Sequence, residues 1–190
     1  MGLDEIFATV EKDSGIKMAI DREDESTHLN SYTVYIRYRG PLPATNDVKV
    51  DITIKEKICF TPSEVPILRS YEGYADLPDG RIIKAYDLRE IAVEKLTALT
   101  DKARNEPRDL YDLWYLLTNS DLSFGLLHGE LQSKFAFRKR PLVDLSGALA
   151  AKRPRFERLW MTRLSHQITD LPEFDTVFRT VHRAVRAARL

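Results

Sequence analysis

The spacing of apolar residues changes once along this chain, and that change constrains the fold more than any other feature. In "VKVDITIKE", residues 48–56, Val48, Val50, Ile52 and Ile54 alternate with Lys49, Asp51 and Thr53. "SYTVYIRYRG" alternates in the same way, with Tyr32, Val34, Ile36 and Tyr38 on one face and Thr33, Tyr35, Arg37 and Arg39 on the other. A repeat of two places successive side chains on opposite faces of a strand. From Asp87 onward the repeat becomes helical. The predicted fold class is therefore α+β: a small mixed or antiparallel sheet, followed by an all-helical C-terminal half. The expected domains are residues 1–86 and 87–190.

Smaller elements fit around this frame. Leu3, Ile6, Phe7 and Val10 predict a helix over 3–13, ended by Ser14 and Gly15. "IKMAID" predicts a strand and "REDESTHLN" a polar loop. "GPLPATND" predicts a turn, and two further strands are expected at "ICF" and "GRIIKAY". Asp87 with Glu90 reads as a capping box opening a helix over 88–103. Asn105 reads as the cap of the next helix, with Pro107 in its first turn. Further helices are expected near 121–136, 144–151, 154–168 and 173–189.

Composition narrows the function classes. Lys+Arg and Asp+Glu stand at 29 each, so no global field draws in nucleic acid or an anionic membrane. The local charge is uneven: Lys134 to Arg163 is basic, and the last ten residues hold three arginines and no acid. Such a face is either solvated or a nucleic-acid contact. One cysteine, Cys59 in "KICF", excludes an intrachain disulfide and reads as a small core residue. His28, His128, His166 and His182 are scattered without ligand spacing. No apolar run is long enough to span a membrane, and a cytoplasmic protein is expected.

The chemistry is concentrated in "AVEKLTALTDKARNEPRDLYDLWYLL". At about 100° per residue, Lys95 falls between Ile91 and Leu99, inside the apolar stripe of its helix. A lysine so placed has no short route to water, and without a partner it would lose its proton. In the next helix Asp109 and Asp112 share a face with Leu113 and Leu116, while Leu110, Trp114 and Leu117 cover the other side. Two carboxylates on a central helix require cations, and Lys95, Arg108, Lys102 and Arg104 are the nearest candidates. A short connection makes the helices neighbours, so Lys95 can meet an aspartate. Two readings remain open: a structural ion pair fixing the helix pair, or a half-buried polar cluster that handles phosphate. Asp51, between Lys49 and Thr53 on the polar sheet face, is the further carboxylate such a cluster could use with Mg²⁺.

These residues resemble the AbiEii-type nucleotidyltransferase toxins of bacterial toxin–antitoxin and phage-defence systems. That family's motif runs Lys-x-x-Ala, a basic residue, then Arg-Asp-x-x-Asp and a Leu. Here it reads Lys95, Ala98, Lys102 or Arg104, Arg108, Asp109, Asp112 and Leu116. "EKLTAL", "RDLYDLW", "VKVDITI" and "LPEFDTVFRTV" extend the resemblance from about residue 3 to the end. It implies that Lys95 contacts nucleotide phosphates, with Arg108 and one of Lys102 or Arg104 assisting. Asp51 would ligate Mg²⁺, and Asp109 or Asp112 would act as general base or orient the attacking hydroxyl. The implied reaction moves a nucleoside monophosphate from an NTP to a hydroxyl of RNA, tRNA among them, or of protein. A cognate antitoxin is the implied partner.

Two departures accompany the resemblance. The family's first motif, Gly-Gly-Ser/Thr or Gly-Ser followed by Asp-x-Asp, is not found in these 190 residues. The connection before Arg108 is also about two residues longer than the family pattern. The expectation is an N-terminally truncated, inactive nucleotidyltransferase fold, with Mg²⁺ bound only if the acidic motif is supplied. The alternative is a non-catalytic module binding an antitoxin or RNA.

Overall fold

The structure, a computed structural model, describes residues 2–26, 31–40, 43–53, 55–68 and 80–190. His28, Ile54 and residues 69–79 lie outside the described residues. The fold is α+β, with antiparallel strands first and helices after them. Two compact units divide between Glu56 and Lys57, where the sequence suggests a boundary at residue 86. The β-hairpin preceding the helices groups with them, in part because Glu90 on the first of those helices binds the backbone at residues 59 and 60.

In the first unit, helix α1 (Leu3–Ser14) precedes strands β1 (Lys17–Ser26), β2 (Ser31–Arg39) and β3 (Thr45–Thr53). Gly15 ends α1 at φ 72°, a left-handed conformation that suits glycine. The strands form an antiparallel meander in the order β1-β2-β3. Phe7 of α1 packs with Val34 and Ile36 of β2, supported by Leu3, Met18, Tyr32 and Val50. The opposite face is a polar ladder. Arg37 pairs with Asp21 at 2.7 Å and Asp47 at 3.2 Å, while Arg22 lies over the Tyr35 ring. β1 runs beyond the expected "IKMAID" because its acidic continuation keeps pairing with β2.

The second unit begins with the hairpin β4 (Ser63–Pro66) and β5 (Ile82–Ala85). Helices follow: α2 (Leu88–Leu99), α3 (Pro107–Asn119), α4 (His128–Phe137), α5 (Leu145–Leu164) and α6 (Phe174–Ala187). A 3₁₀ turn at Phe124–Leu126 precedes α4 and takes the place of the first part of the helix expected from residue 121. α3 lies at the centre, packed by α2, α5 and α6. The core runs through Leu96, Leu99, Leu110, Leu113, Leu149, Phe156, Trp160, Val177 and Val181. Among the described residues no helix is long and apolar enough to cross a membrane.

Three local expectations are corrected here. "ICF" is not a strand: the N–H groups of Cys59 and Phe60 donate to Glu90 Oε2 at 2.8 and 2.9 Å, which replaces a strand partner. Glu90 therefore does not close a capping box, and Asp87 alone caps α2 through the Arg89 N–H. α5 is one helix rather than two. Pro154 deprives Ala150 of a backbone bond, but both residues face solvent, where water can replace it.

The Glu90 carboxylate is fully buried and its Oε1 faces the Lys134 ammonium, a charge contact without a directed hydrogen bond. Lys134 also meets Glu94, which pairs with Arg138 at 2.8 Å. Burial pulls the Lys134 pKa down, but the facing Glu90 and Glu94 carboxylates outweigh it, and the net direction is upward. This network ties α4 and the segment before β4 to α2.

Candidate functional site

α2 presents Lys95 among Ala92, Leu96 and Leu99, all buried. α3 starts at Pro107, whose ring suits the first helical position, and presents Asp109 and Asp112 on one side. Residues 100–106 connect the two helices. Glu106, not Asn105, stands at the cap of α3, and the Asn105 amide instead donates to the Lys102 and Ala103 carbonyls.

Lys95 Nζ lies 2.9 Å from Asp109 Oδ1 and 2.5 Å from Asp112 Oδ2. Its side chain keeps 20% of its exposure, against 3% for Asp109 and 32% for Asp112. One ammonium thus joins two carboxylates one helical turn apart. Arg104 completes the set by donating from Nε to Asp109 Oδ2 at 2.6 Å and from Nη2 to Oδ1 at 3.0 Å. This side-on, two-bond grip is the stronger geometry for a guanidinium on a carboxylate. Burial pushes the Asp109 pKa up, but the hydrogen bonds from Arg104 and Lys95 outweigh it and hold the carboxyl below its ordinary value.

Between the two basic residues of the connection, Arg104 is therefore the one that meets Asp109. Lys102 is exposed and lines a different cavity, beside α5. Arg108 is exposed and borders a cleft of about 350 Å³ with Glu106, Arg163, His166 and Gln167. Asp51 belongs to the first unit, where it accepts from Thr33 Oγ1 at 2.6 Å and pairs with Lys49 at 3.0 Å. Those two contacts hold its carboxyl below the ordinary pKa. Cys59 is half-buried and burial raises its thiol pKa, which is opposite to the direction that makes a nucleophile.

The sequence reading missed Lys152. It follows Leu149 by three residues and precedes Phe156 by four, so it sits inside the apolar stripe of α5, the same signal that marks Lys95. Its side chain is buried, and Nζ donates to the carbonyls of Asp101 and Arg104 at 2.6 and 2.5 Å. Lys152 thereby fixes the connection that carries Arg104.

The second unit thus holds one ammonium shared by two aspartates on adjoining helices, in a chain whose other unit is an antiparallel sheet with one helix. The chain belongs to the family described as nucleotidyl transferase AbiEii toxin, type IV toxin–antitoxin system, whose model matches residues 2–183. No curated protein and no solved structure matches it.

Nucleotidyltransferases generally use a divalent cation, which takes several oxygen ligands. Among the described residues, no three His, Cys, Asp or Glu side chains converge to hold one. Both Asp109 oxygens are held by cations, and Asp51 is held by Thr33 and Lys49. This carboxylate set does not fit a resident Mg²⁺.

Proposed function

We propose that the α2–α3 cluster is the nucleotide-handling site of a nucleotidyltransferase toxin. The observation that carries this reading is the position of Lys95, which shares its ammonium between Asp109 and Asp112 and keeps 20% of its side-chain exposure. An ammonium has three N–H donors. One is directed at Asp109 Oδ1, Asp112 adds a charge contact, and a remaining donor can serve a phosphate oxygen. Arg108, exposed and next to Asp109 in the chain, is a further cation that a polyphosphate would meet.

The two aspartates take different roles. Asp109 is buried, depressed in pKa and held on both oxygens, so it positions Lys95 and Arg104 and is a poor proton acceptor. Asp112 is partly exposed and engages Lys95 through one oxygen, leaving the other to face an acceptor hydroxyl. Were the family's missing acidic motif supplied, that hydroxyl oxygen would bond to the α-phosphorus, the bond to the β-phosphate oxygen would break, and pyrophosphate would leave. The hydroxyl proton would pass to Asp112. The acceptor is an RNA or protein hydroxyl, the setting is cytoplasmic, and a cognate antitoxin is the regulatory partner.

Charge decides what these 190 residues can do alone. Lys95 and Arg104 balance Asp109 and Asp112, so the cluster is neutral and cannot by itself offset a triphosphate. The chain also contains no Gly-Gly, Gly-Ser or Asp-x-Asp, and the carboxylate set does not fit Mg²⁺. The 190-residue chain is therefore expected to bind NTP without transferring it. Labelled NTPs, Mg²⁺ and total RNA provide the test. Saturable NTP binding without labelled product supports the proposal. Robust transfer that disappears in Asp51→Ala overturns it, as does an absence of NTP binding.

The second reading, a non-catalytic module that binds an antitoxin or RNA, draws on the basic surface of α5 and α6, where Arg179, Arg183 and Arg186 border one cleft. Salt-dependent RNA binding by a chain that does not bind NTP would favour it.

A further inference from the structure

Three lysines occupy the apolar stripes of the helical unit, and they are neutralised differently. Lys95 has two carboxylates and Lys134 has two. Lys152, 8% exposed, has two backbone carbonyls and, among the described residues, no carboxylate within ion-pair distance. Carbonyl dipoles orient an ammonium but do not cancel its charge, and burial accordingly lowers the Lys152 pKa, with the Asp101 and Asp109 charges opposing at longer range. A buried cation without a counter-charge is costly unless an anion joins it.

Lys152 lines a cavity of about 520 Å³ between the α2–α3 connection and the first half of α5. That volume is typical of small-molecule sites. Leu99, Ala148 and Ala151 supply an apolar wall, and Lys102 and Arg155 add cations beside Lys152. The one acid on the wall, Asp144, is occupied in capping α5, accepting from the Gly147 N–H at 2.9 Å. The lining thus carries three cations to one anion, next to small apolar residues that leave room for a flat body.

We propose that this cavity binds a small amphipathic anion, an apolar or aromatic body bearing one carboxylate, sulfonate or phosphomonoester. The body lies on Leu99, Ala148 and Ala151, and the anionic head takes the counter-charge position for Lys152, Lys102 and Arg155. The site is separate from the Lys95 cluster and does not depend on the nucleotide reading.

A matched pair of fluorescent probes tests both halves of the proposal. 1-Anilinonaphthalene-8-sulfonate and N-phenyl-1-naphthylamine share one aromatic body, and only the first carries the anion. Titration of the folded 190-residue chain is expected to show one saturable sulfonate site, with the uncharged probe weaker by about tenfold or more. Ala151→Trp, at an exposed position on the cavity wall, is expected to weaken the sulfonate by about tenfold or more, and Lys152→Met to do the same. Because Lys152→Met removes a buried anchor, the double change Lys102→Ala with Arg155→Ala provides a second charge test at exposed positions, with the same direction expected. Equal affinity for the two probes, or undiminished sulfonate binding in Ala151→Trp, overturns the proposal.

Discussion

Arg104 binds Asp109 side-on, two nitrogens to two oxygens at 2.6 and 3.0 Å, although Arg104 lies in a connection and Asp109 in the first turn of α3. The pairing leaves Asp109 with no lone oxygen, and Lys95 adds a third charge-assisted bond. Asp109→Asn is therefore expected to destabilise the helical unit by about 3 kcal/mol, because it leaves a half-buried ammonium short of a counter-charge. Asp112→Asn, at a partly exposed position, is expected to cost under about 1 kcal/mol. Urea midpoints of the two variants check the ranking, and equal midpoints would contradict it.

The same carboxyl sets an acid limit. Its folded pKa lies below the unfolded value, so its stabilisation is fully present above the unfolded aspartate pKa of about 3.9 and is lost as pH falls through the folded value. Thermal melts against pH should show the acid loss shrinking in Asp109→Asn relative to the native chain. An unchanged acid limb would mean that Asp109 carries no such linkage.

Glu90 anchors the backbone of Cys59 and Phe60 with one oxygen and faces Lys134 with the other. Glu90→Ala strands two N–H donors and a buried ammonium, and is expected to cost about 3 kcal/mol or more. Hydrogen exchange should show the Cys59 and Phe60 amides losing protection first, while Val177 and Val181 in the core of α6 keep theirs. Uniform loss along the whole unit would contradict a local anchor.

In the core, Leu113 of α3 has no exposure and lies among α2, α5 and α6. Leu113→Ala is expected to cost about 3–4 kcal/mol through lost burial and the cavity left behind. A loss below about 1 kcal/mol would mean that α3 is not central to the packing.

Much of this was legible in the sequence because it rests on periodicity. The α+β class follows from the change of repeat. The Lys95 contact was legible from helical angles and a short connection: a lysine between Ile91 and Leu99 needs a partner, and Asp109 and Asp112 on the neighbouring helix supply it. What lacks periodicity was harder to read. The connection gives no angular information, so Lys102 and Arg104 could not be separated until Arg104 was seen on Asp109. "ICF" has strand composition, but its hydrogen bonds go to a side chain distant in sequence. Pro154 reads as a break because sequence does not show that Ala150 faces water. Lys152 carried the same signal as Lys95, but no carboxylate pattern stood beside it to draw attention.

The nucleotide reading depends on the Lys95 ammonium, and Lys95→Met removes that charge while preserving most of the aliphatic stem. Calorimetric titration with ATP and CTP, on chains whose far-ultraviolet dichroism matches the native one, measures its contribution directly. Affinity lower by about tenfold or more in Lys95→Met is the expected result. Native-like affinity in a folded Lys95→Met chain would show that the cluster holds helices together and does not handle nucleotide.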